Sequence, residues 1–87
     1  MRCGLTLFIT GNTPRSLRAV GNVRRLCDDE LAGEYELEIV DLFEHPERAQ
    51  PANVVVSPTL VRHFPKPVRL LIGDMSDATQ LRRLVKL

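Results

Sequence analysis

Cysteine is scarce in this chain, and its scarcity excludes several kinds of site. Among 87 residues only Cys3 and Cys27 are cysteines, too few and too widely spaced for a structural zinc site or a disulfide framework. Cys3 opens a predicted strand and Cys27 lies on the apolar face of a predicted helix, where cysteine behaves as a small hydrophobic residue. We predict two reduced, packed thiols; redox sensing is the alternative.

An excess of charge and long apolar runs are also absent. The chain has 12 basic and 11 acidic residues and a formal net charge of +1, so it has no long-range field to gather phosphates or anionic lipids. Nucleic acid and membranes are therefore not expected partners. No apolar run of about 18 residues occurs, and a strand pattern follows residues 1–4, which indicates neither a transmembrane helix nor a signal peptide. We expect a cytoplasmic protein.

Histidine is equally sparse, and no catalytic or metal-binding pattern surrounds it. His45 and His63 are the two histidines, and neither has a cysteine or acidic partner at the spacing of metal ligands. Ser57 precedes a proline and has no base near it in sequence, and its surroundings do not match a nucleophile elbow. We predict no catalytic residue, no metal and no cofactor.

What the chain does contain is a well-marked strand, turn and helix at its start. Residues 5–10 are almost continuously apolar or β-branched, which is typical of a strand covered on both faces. Gly11 and Asn12 follow as a turn, Thr13 can cap a helix, and Pro14 suits its first turn. Apolar residues then recur at helical spacing up to Gly33, which is placed to end the helix: Leu17, Val20, Val23, Cys27 and Leu31.

The rest of the chain alternates short elements with proline and glycine turns. The apolar residues Tyr35, Leu37 and Ile39 alternate with glutamates, which predicts a strand with one acidic face. Pro46 then opens a short helical turn. A strand opened by Pro58 and another over residues 68–72 flank the turn 65–67 and form a predicted hairpin. Ser76 is expected to cap a last helix whose apolar face consists of Leu81, Leu84 and Val85.

The resulting order βαβαββα is that of the thioredoxin fold, with a mixed four-stranded sheet and residues 1–87 as a single domain. So small a domain has a thin stability margin, and assembly into a dimer or tetramer would be a natural support. Thioredoxins carry a redox dicysteine where the first strand enters the first helix; here residues 12–15 are Asn-Thr-Pro-Arg. They also place a cis proline before the third strand, so we expect Pro58 to be cis.

Three collinear blocks resemble the KaiB family of bacterial circadian clock proteins: residues 11–19, residues 58–60 and residues 67–76. The resemblance covers nearly the whole chain. It implies a non-enzymatic protein that docks on KaiC, a ring-shaped ATPase, and competes there with a histidine kinase or recruits other clock proteins. It also implies an alternative resting fold with a rearranged C-terminal half, reached through prolines that match Pro58, Pro65 and Pro67.

The last helix departs from the pattern of the clock proteins. Leu84 and Lys86 stand where many members carry a glycine and an acidic residue, and both are better helix formers. Lys86 also suits the helix dipole near a C-terminus. We therefore predict that the protein rests mainly in the thioredoxin-like form.

Arginines are the polar residues best suited to a partner, because the planar guanidinium satisfies carboxylates with two hydrogen bonds; a role in solubility alone is the alternative. Arg18 lies on the first helix, and Arg62 and Arg69 lie on the two strands of the predicted hairpin; all three align with basic positions of the family. With Asn12 they form the predicted partner-binding set. An adaptor or sensor domain that docks on a histidine kinase or a stress-signalling protein is the alternative function.

Overall fold

The first strand is buried along its whole length, and this places it in the middle of the sheet. The computed structural model describes residues 3–55 and 57–86. Its elements are β1 (Cys3–Ile9), α1 (Pro14–Leu31), β2 (Tyr35–Asp41), a 3₁₀ turn (Pro46–Arg48), β3 (Thr59–Phe64), β4 (Arg69–Ile72) and α2 (Ala78–Lys86). The sheet has the order β2-β1-β3-β4, with β1 and β2 parallel and the other pairs antiparallel. The predicted thioredoxin-like architecture is thereby confirmed.

The two helices cover one face of the sheet and enclose the main core. Leu5, Leu7 and Ile9 of β1 pack there with apolar residues of α1 and α2. On the other face Phe8 packs with Val40, Val54 and Val61, beneath the segment that connects β2 to β3. Because β1 contributes to both clusters, its continuous apolar run is explained by burial on two sides.

Helix α1 begins and ends where the sequence signals predict. The Thr13 hydroxyl accepts a hydrogen bond from the Ser16 backbone N–H at 3.1 Å, and Pro14 occupies the first turn. The chain leaves the helix through Ala32 and Gly33, both with positive φ. Leu17 corrects the prediction, since it lies outside the core with 58% of its surface exposed; the buried face instead runs through Ser16, Ala19 and Val23.

Helix α2 has the predicted apolar face but a different cap. Leu81, Leu84 and Val85 are buried. The cap is Asp77, whose carboxylate accepts hydrogen bonds from the backbone N–H groups of Thr79 and Gln80. Ser76, the predicted cap, instead donates its backbone N–H to Asp74, because Asp74 and Asp77 are both acceptors within this tight turn.

Candidate protein-interaction surface

The turn between β1 and α1 is held to the end of β2 by one carboxylate. Asp41 Oδ1 accepts a hydrogen bond from the Gly11 N–H at 3.1 Å and from the Phe43 N–H at 2.9 Å. Gly11 has a φ of 70°, and a Cβ there would lie 3.2 Å from Cε2 of Phe43. The Phe43 ring therefore lies against the glycine backbone, and a side chain at position 11 would displace it.

No thiol is present at this turn. Both cysteines are fully buried elsewhere, Cys3 at the start of β1 and Cys27 on the inner face of α1. Burial is the main cause that raises the pKa of Cys3 and raises the pKa of Cys27 to about 12. Both thiols are thus protonated at neutral pH, and a protonated buried thiol is a poor nucleophile. The predicted packing role for the cysteines fits this environment.

Arg18 and Asn22 join the exposed side of α1 to the loop after β4. The Arg18 Nε lies 3.4 Å from Asp74 Oδ2, and the Asn22 amide donates to the Asp74 carbonyl at 3.0 Å. Hydrogen bonds from Ser76, followed by the Arg18 guanidinium, lower the pKa of Asp74. More than half of the Arg18 side chain remains exposed, so it is oriented by Asp74 yet accessible to a partner.

Two large apolar side chains near the β1–α1 turn are exposed. Phe43 is 75% exposed and Leu17 is 58% exposed. The exposed residues Asn12, Leu17, Arg18 and Phe43 are together called the loop-end surface. The sequence did not mark Phe43 or Leu17 as exposed, because an apolar residue beside a strand or on a helix is assigned to the core by its spacing alone.

Arg62 is not on a surface in this structure. It is 1% exposed; Nη1 donates to the Leu84 carbonyl at 2.7 Å and Nη2 to the Pro67 carbonyl at 2.8 Å. Leu84 lies in the last turn of α2, whose carbonyls lack helical partners. The predicted direct contact between Arg62 and a partner therefore does not fit this conformation, in which Arg62 ties β3 to α2 and to the hairpin turn.

Arg69 lies at the other end of the sheet from Asn12 and Arg18. Arg69 pairs with Arg62 in the register of β3 and β4. Strand β1 runs parallel to β4, and the β1–α1 turn follows the end of β1 that lies far from Arg69. Asn12 lies in the β1–α1 turn and Arg18 in the part of α1 that follows it, whereas Arg69 is separated from both. The Ser57–Pro58 bond is cis, the geometry expected of Pro58, and the Pro58 carbonyl accepts the Gly73 N–H.

No metal centre or membrane span is found in residues 3–55 and 57–86. No cluster of three or more potential ligands occurs among these residues. His45 lies 3.6 Å from Glu47 in an exposed pair, and His63 is exposed on β3. Neither helix of this part of the chain is long and apolar enough to cross a bilayer.

The fold and the turn together define a thioredoxin-like domain without the thioredoxin dithiol. The N-terminal domain of SasA from Synechococcus elongatus superposes with a TM-score of 0.80 at 23% identity, covering 99% of this chain and 85% of that one. Mitochondrial thioredoxin 3 from Saccharomyces cerevisiae gives a TM-score of 0.78 at 17% identity, covering 98% and 77%. At such identities these likenesses establish the fold alone.

The sequence comparisons assign the family. The KaiB domain matches residues 6–87. The circadian clock protein KaiB3 of Synechocystis sp. is 41% identical over 80 residues, which are 92% of this chain and 78% of that protein. A circadian clock oscillator protein KaiB of Prochlorococcus marinus is 40% identical over 73 residues, covering 84% and 70%. The chain belongs to the KaiB family.

Proposed function

We propose that this protein regulates a KaiC-type ATPase by binding to it through the loop-end surface, without catalysing a reaction itself. The observation that carries the proposal is the exposed pair Phe43 and Leu17 at the turn where a thioredoxin would present its dithiol. Exposed apolar side chains, one of them aromatic, together with an exposed arginine are typical of the composition of an interface centre. The family's curated members, named as circadian clock proteins, support a role in timing or a clock-like system.

Each residue of the loop-end surface has a stated part. Phe43 and Leu17 supply apolar area that is already exposed and needs no rearrangement to bind. Arg18, held by Asp74 but still accessible, offers a guanidinium to a carboxylate of the partner. Asn12 offers amide donor and acceptor groups at the tip of the turn. Asp41 acts beneath the surface, because its two hydrogen bonds fix the turn that presents these side chains.

The test is binding of the purified protein to a KaiC-type ATPase of the same host, with and without ATP. Native mass spectrometry reports the complex, and titration gives its affinity. Phe43→Ala is expected to weaken binding at least about tenfold, as a hot-spot residue would. Gln50→Ala, an exposed residue of the β2–β3 connection, is the matched control and should bind as the unmodified protein does.

Two results would count against the proposal. If no complex forms over a wide range of concentration, with or without ATP, the ATPase is excluded as the partner. If Phe43→Ala and Gln50→Ala weaken binding equally, the loop-end surface is excluded as the binding site. A thioredoxin-type oxidoreductase, which the fold alone would suggest, has its own assay: disulfide reduction that is lost in a Cys27→Ala variant would identify this function instead.

The second candidate is an adaptor or sensor domain that docks on a histidine kinase or another signalling protein. The structural likeness to the N-terminal domain of SasA favours it. The same surface would serve both functions, so binding to a kinase from the host, measured beside the ATPase, discriminates them. A kinase that binds when no ATPase does would support this second candidate.

A further inference from the structure

The edge strand β4 carries a second exposed surface, distinct from the loop-end surface. Within the described residues β4 pairs only with β3, so the backbone N–H and C=O groups on its outer side are open to another strand. Leu70 and Ile72 are 45% and 60% exposed and lie on the sheet face away from the helices. Arg69 and Leu71 alternate with them and lie on the helix side.

On the helix side, β4 and α2 form a basic groove. A cavity of about 310 Å³ is lined by Arg69, Leu70, Leu71, Gln80, Arg83 and Leu84. Leu71 and Leu84 form its apolar floor, since both pack with the main core. Arg69 and Arg83 are exposed at its rim. The groove therefore presents two guanidinium groups directly beside an open strand edge.

The positive charge of this groove is not neutralised by the chain itself. Residues 57–86 contain six basic and two acidic residues. Asp74 is engaged by Ser76 and Arg18, and Asp77 caps α2. In the part of the chain that the structure describes, neither Arg69 nor Arg83 forms an ion pair, whereas their neighbour in sequence, Arg82, pairs with Glu30 at 2.9 Å.

The acidic residues of the chain are concentrated elsewhere. Between positions 28 and 47 there are nine acidic residues and no lysine or arginine. This stretch contains β2, which is the opposite edge of the sheet. Among the described residues, Glu38 of this stretch pairs with Arg48 and Glu30 pairs with Arg82, whereas Arg69 and Arg83 have no such partner. The groove along β4 therefore retains an unbalanced local charge for an acidic ligand.

We infer that the edge of β4 binds an extended acidic segment of a partner protein, which adds to the sheet as a further strand. Alternate residues of an added strand lie on opposite faces. Acidic residues of the segment would meet Arg69 and Arg83 on the helix side, with charge-assisted hydrogen bonds. Apolar residues between them would cover Leu70 and Ile72. The inference concerns a surface apart from the ATPase contact proposed above and does not depend on it.

The test uses a synthetic probe and no ATPase, so its outcome is separate from that of the proposed function. The probe is a fluorescent peptide of about eight residues in which glutamate and valine alternate. Titration into the full chain measures its affinity by anisotropy, and amide NMR spectra locate the contact. We expect shifts at residues 69–72 and 80–84, and binding that weakens as salt is added.

The variants separate charge from fold. Arg69→Gln and Arg83→Gln should each weaken the peptide by up to about fivefold, the range of an exposed ion pair. Arg82→Gln is the matched control, since its guanidinium already has a partner, and it should leave the affinity unchanged. Two peptides are compared, one N-methylated at its glutamate amides and the other at its valine amides. In one of them the methyl groups face β4, and that peptide should not bind, because methylation removes the donors that pair with the strand.

Several outcomes would overturn the inference. Absence of binding at millimolar peptide, or amide shifts confined to another face, would do so. If Arg83→Gln and Arg82→Gln change the peptide affinity equally, binding depends on the overall charge of the protein and not on the groove. Unimpaired binding of both N-methylated peptides would exclude strand addition. Anionic lipid vesicles and single-stranded DNA are tested as competitors of the labelled peptide. If either displaces it at a lower concentration than the unlabelled peptide does, the groove binds a different class of ligand.

Discussion

Replacing Arg62 with methionine tests whether one buried side chain holds the C-terminal half of the fold together. The guanidinium donates to the carbonyls of Pro67 and Leu84, one in the hairpin turn and one in the last turn of α2. Methionine fills the space of the arginine stem with little change in packing. It has no donor, so both carbonyls lose this partner, the Leu84 carbonyl in a buried site and the Pro67 carbonyl in a partly buried one.

The magnitude follows from these two bonds. A hydrogen bond from a charged donor contributes about 1.5–3 kcal/mol, and a carbonyl left buried without a partner costs about 1–3 kcal/mol. Removing a buried guanidinium also relieves the cost of its desolvation, which offsets part of the loss. We expect Arg62→Met to lower the free energy of unfolding by about 3 kcal/mol, a large share of the 5–15 kcal/mol typical of a domain.

Urea unfolding followed by circular dichroism measures this difference. With an m-value of about 1 kcal/mol/M, the midpoint should fall by about 3 M. Arg83→Met is the control, because Arg83 is exposed on the same helix and its loss should change stability by no more than about 0.5 kcal/mol. Arg62→Lys should give an intermediate loss, since an ammonium lacks the planar fork that spans two acceptors.

Hydrogen exchange distinguishes a local tie from a general loss of stability. If Arg62 holds the end of α2, amides of its last turn should exchange faster in Arg62→Met at urea concentrations well below the unfolding midpoint. The reasoning is refuted if Arg62→Met unfolds within about 0.5 kcal/mol of the unmodified protein, or if it loses no more than Arg83→Met.

Three further predictions concern the cap, the thiol and the resting form. Thr13→Ala should lower the stability by about 1 kcal/mol in thermal unfolding, because the Ser16 N–H loses its acceptor; an unchanged Tm would contradict the capping role. Burial raises the pKa of Cys27 from 9.0 to about 12, so the unfolded chain releases this proton first and stability should fall between about pH 9 and pH 12. Cys27→Ala should flatten that dependence in urea titrations, and an equally steep curve would exclude the thiol as its source. The free protein should show helical NMR shifts over residues 78–86; a dominant tetramer with a sheet-rich C-terminal half would contradict this.

The elements that depend on local signals were predictable from the sequence. Thr13, Pro14 and the apolar repeat fixed the start and the register of α1, because capping and periodicity act within a few residues. The unbroken apolar run of β1 indicated a strand buried on both faces. Ser76 illustrates the limit of such signals, since two aspartates of the same turn compete with it for the cap, and composition does not decide between them.

The candidate site was predicted less well. Asn12 and Arg18 are exposed and remain predicted contacts. Arg62 is also an arginine of the predicted set, but it is buried and its guanidinium donates to backbone carbonyls of the hairpin turn and of α2. Spacing assigned Leu17 to the core, and no pattern marked Phe43. Exposure depends on which elements cover a side chain, and the covering elements here come from distant parts of the chain.

By itself, the sequence determined the order of the elements, the absence of a thiol at the β1–α1 turn and the family to which the chain belongs. These properties reside in residue types and short-range spacing, which every copy of the chain carries before it folds. Only the tertiary structure decided which arginines face solvent, which apolar side chains remain uncovered, and that Arg69 and Arg83 line one groove beside the open edge of β4. The physical reason is that strand order sets these neighbours, and strand order is settled by contacts between residues far apart in the chain.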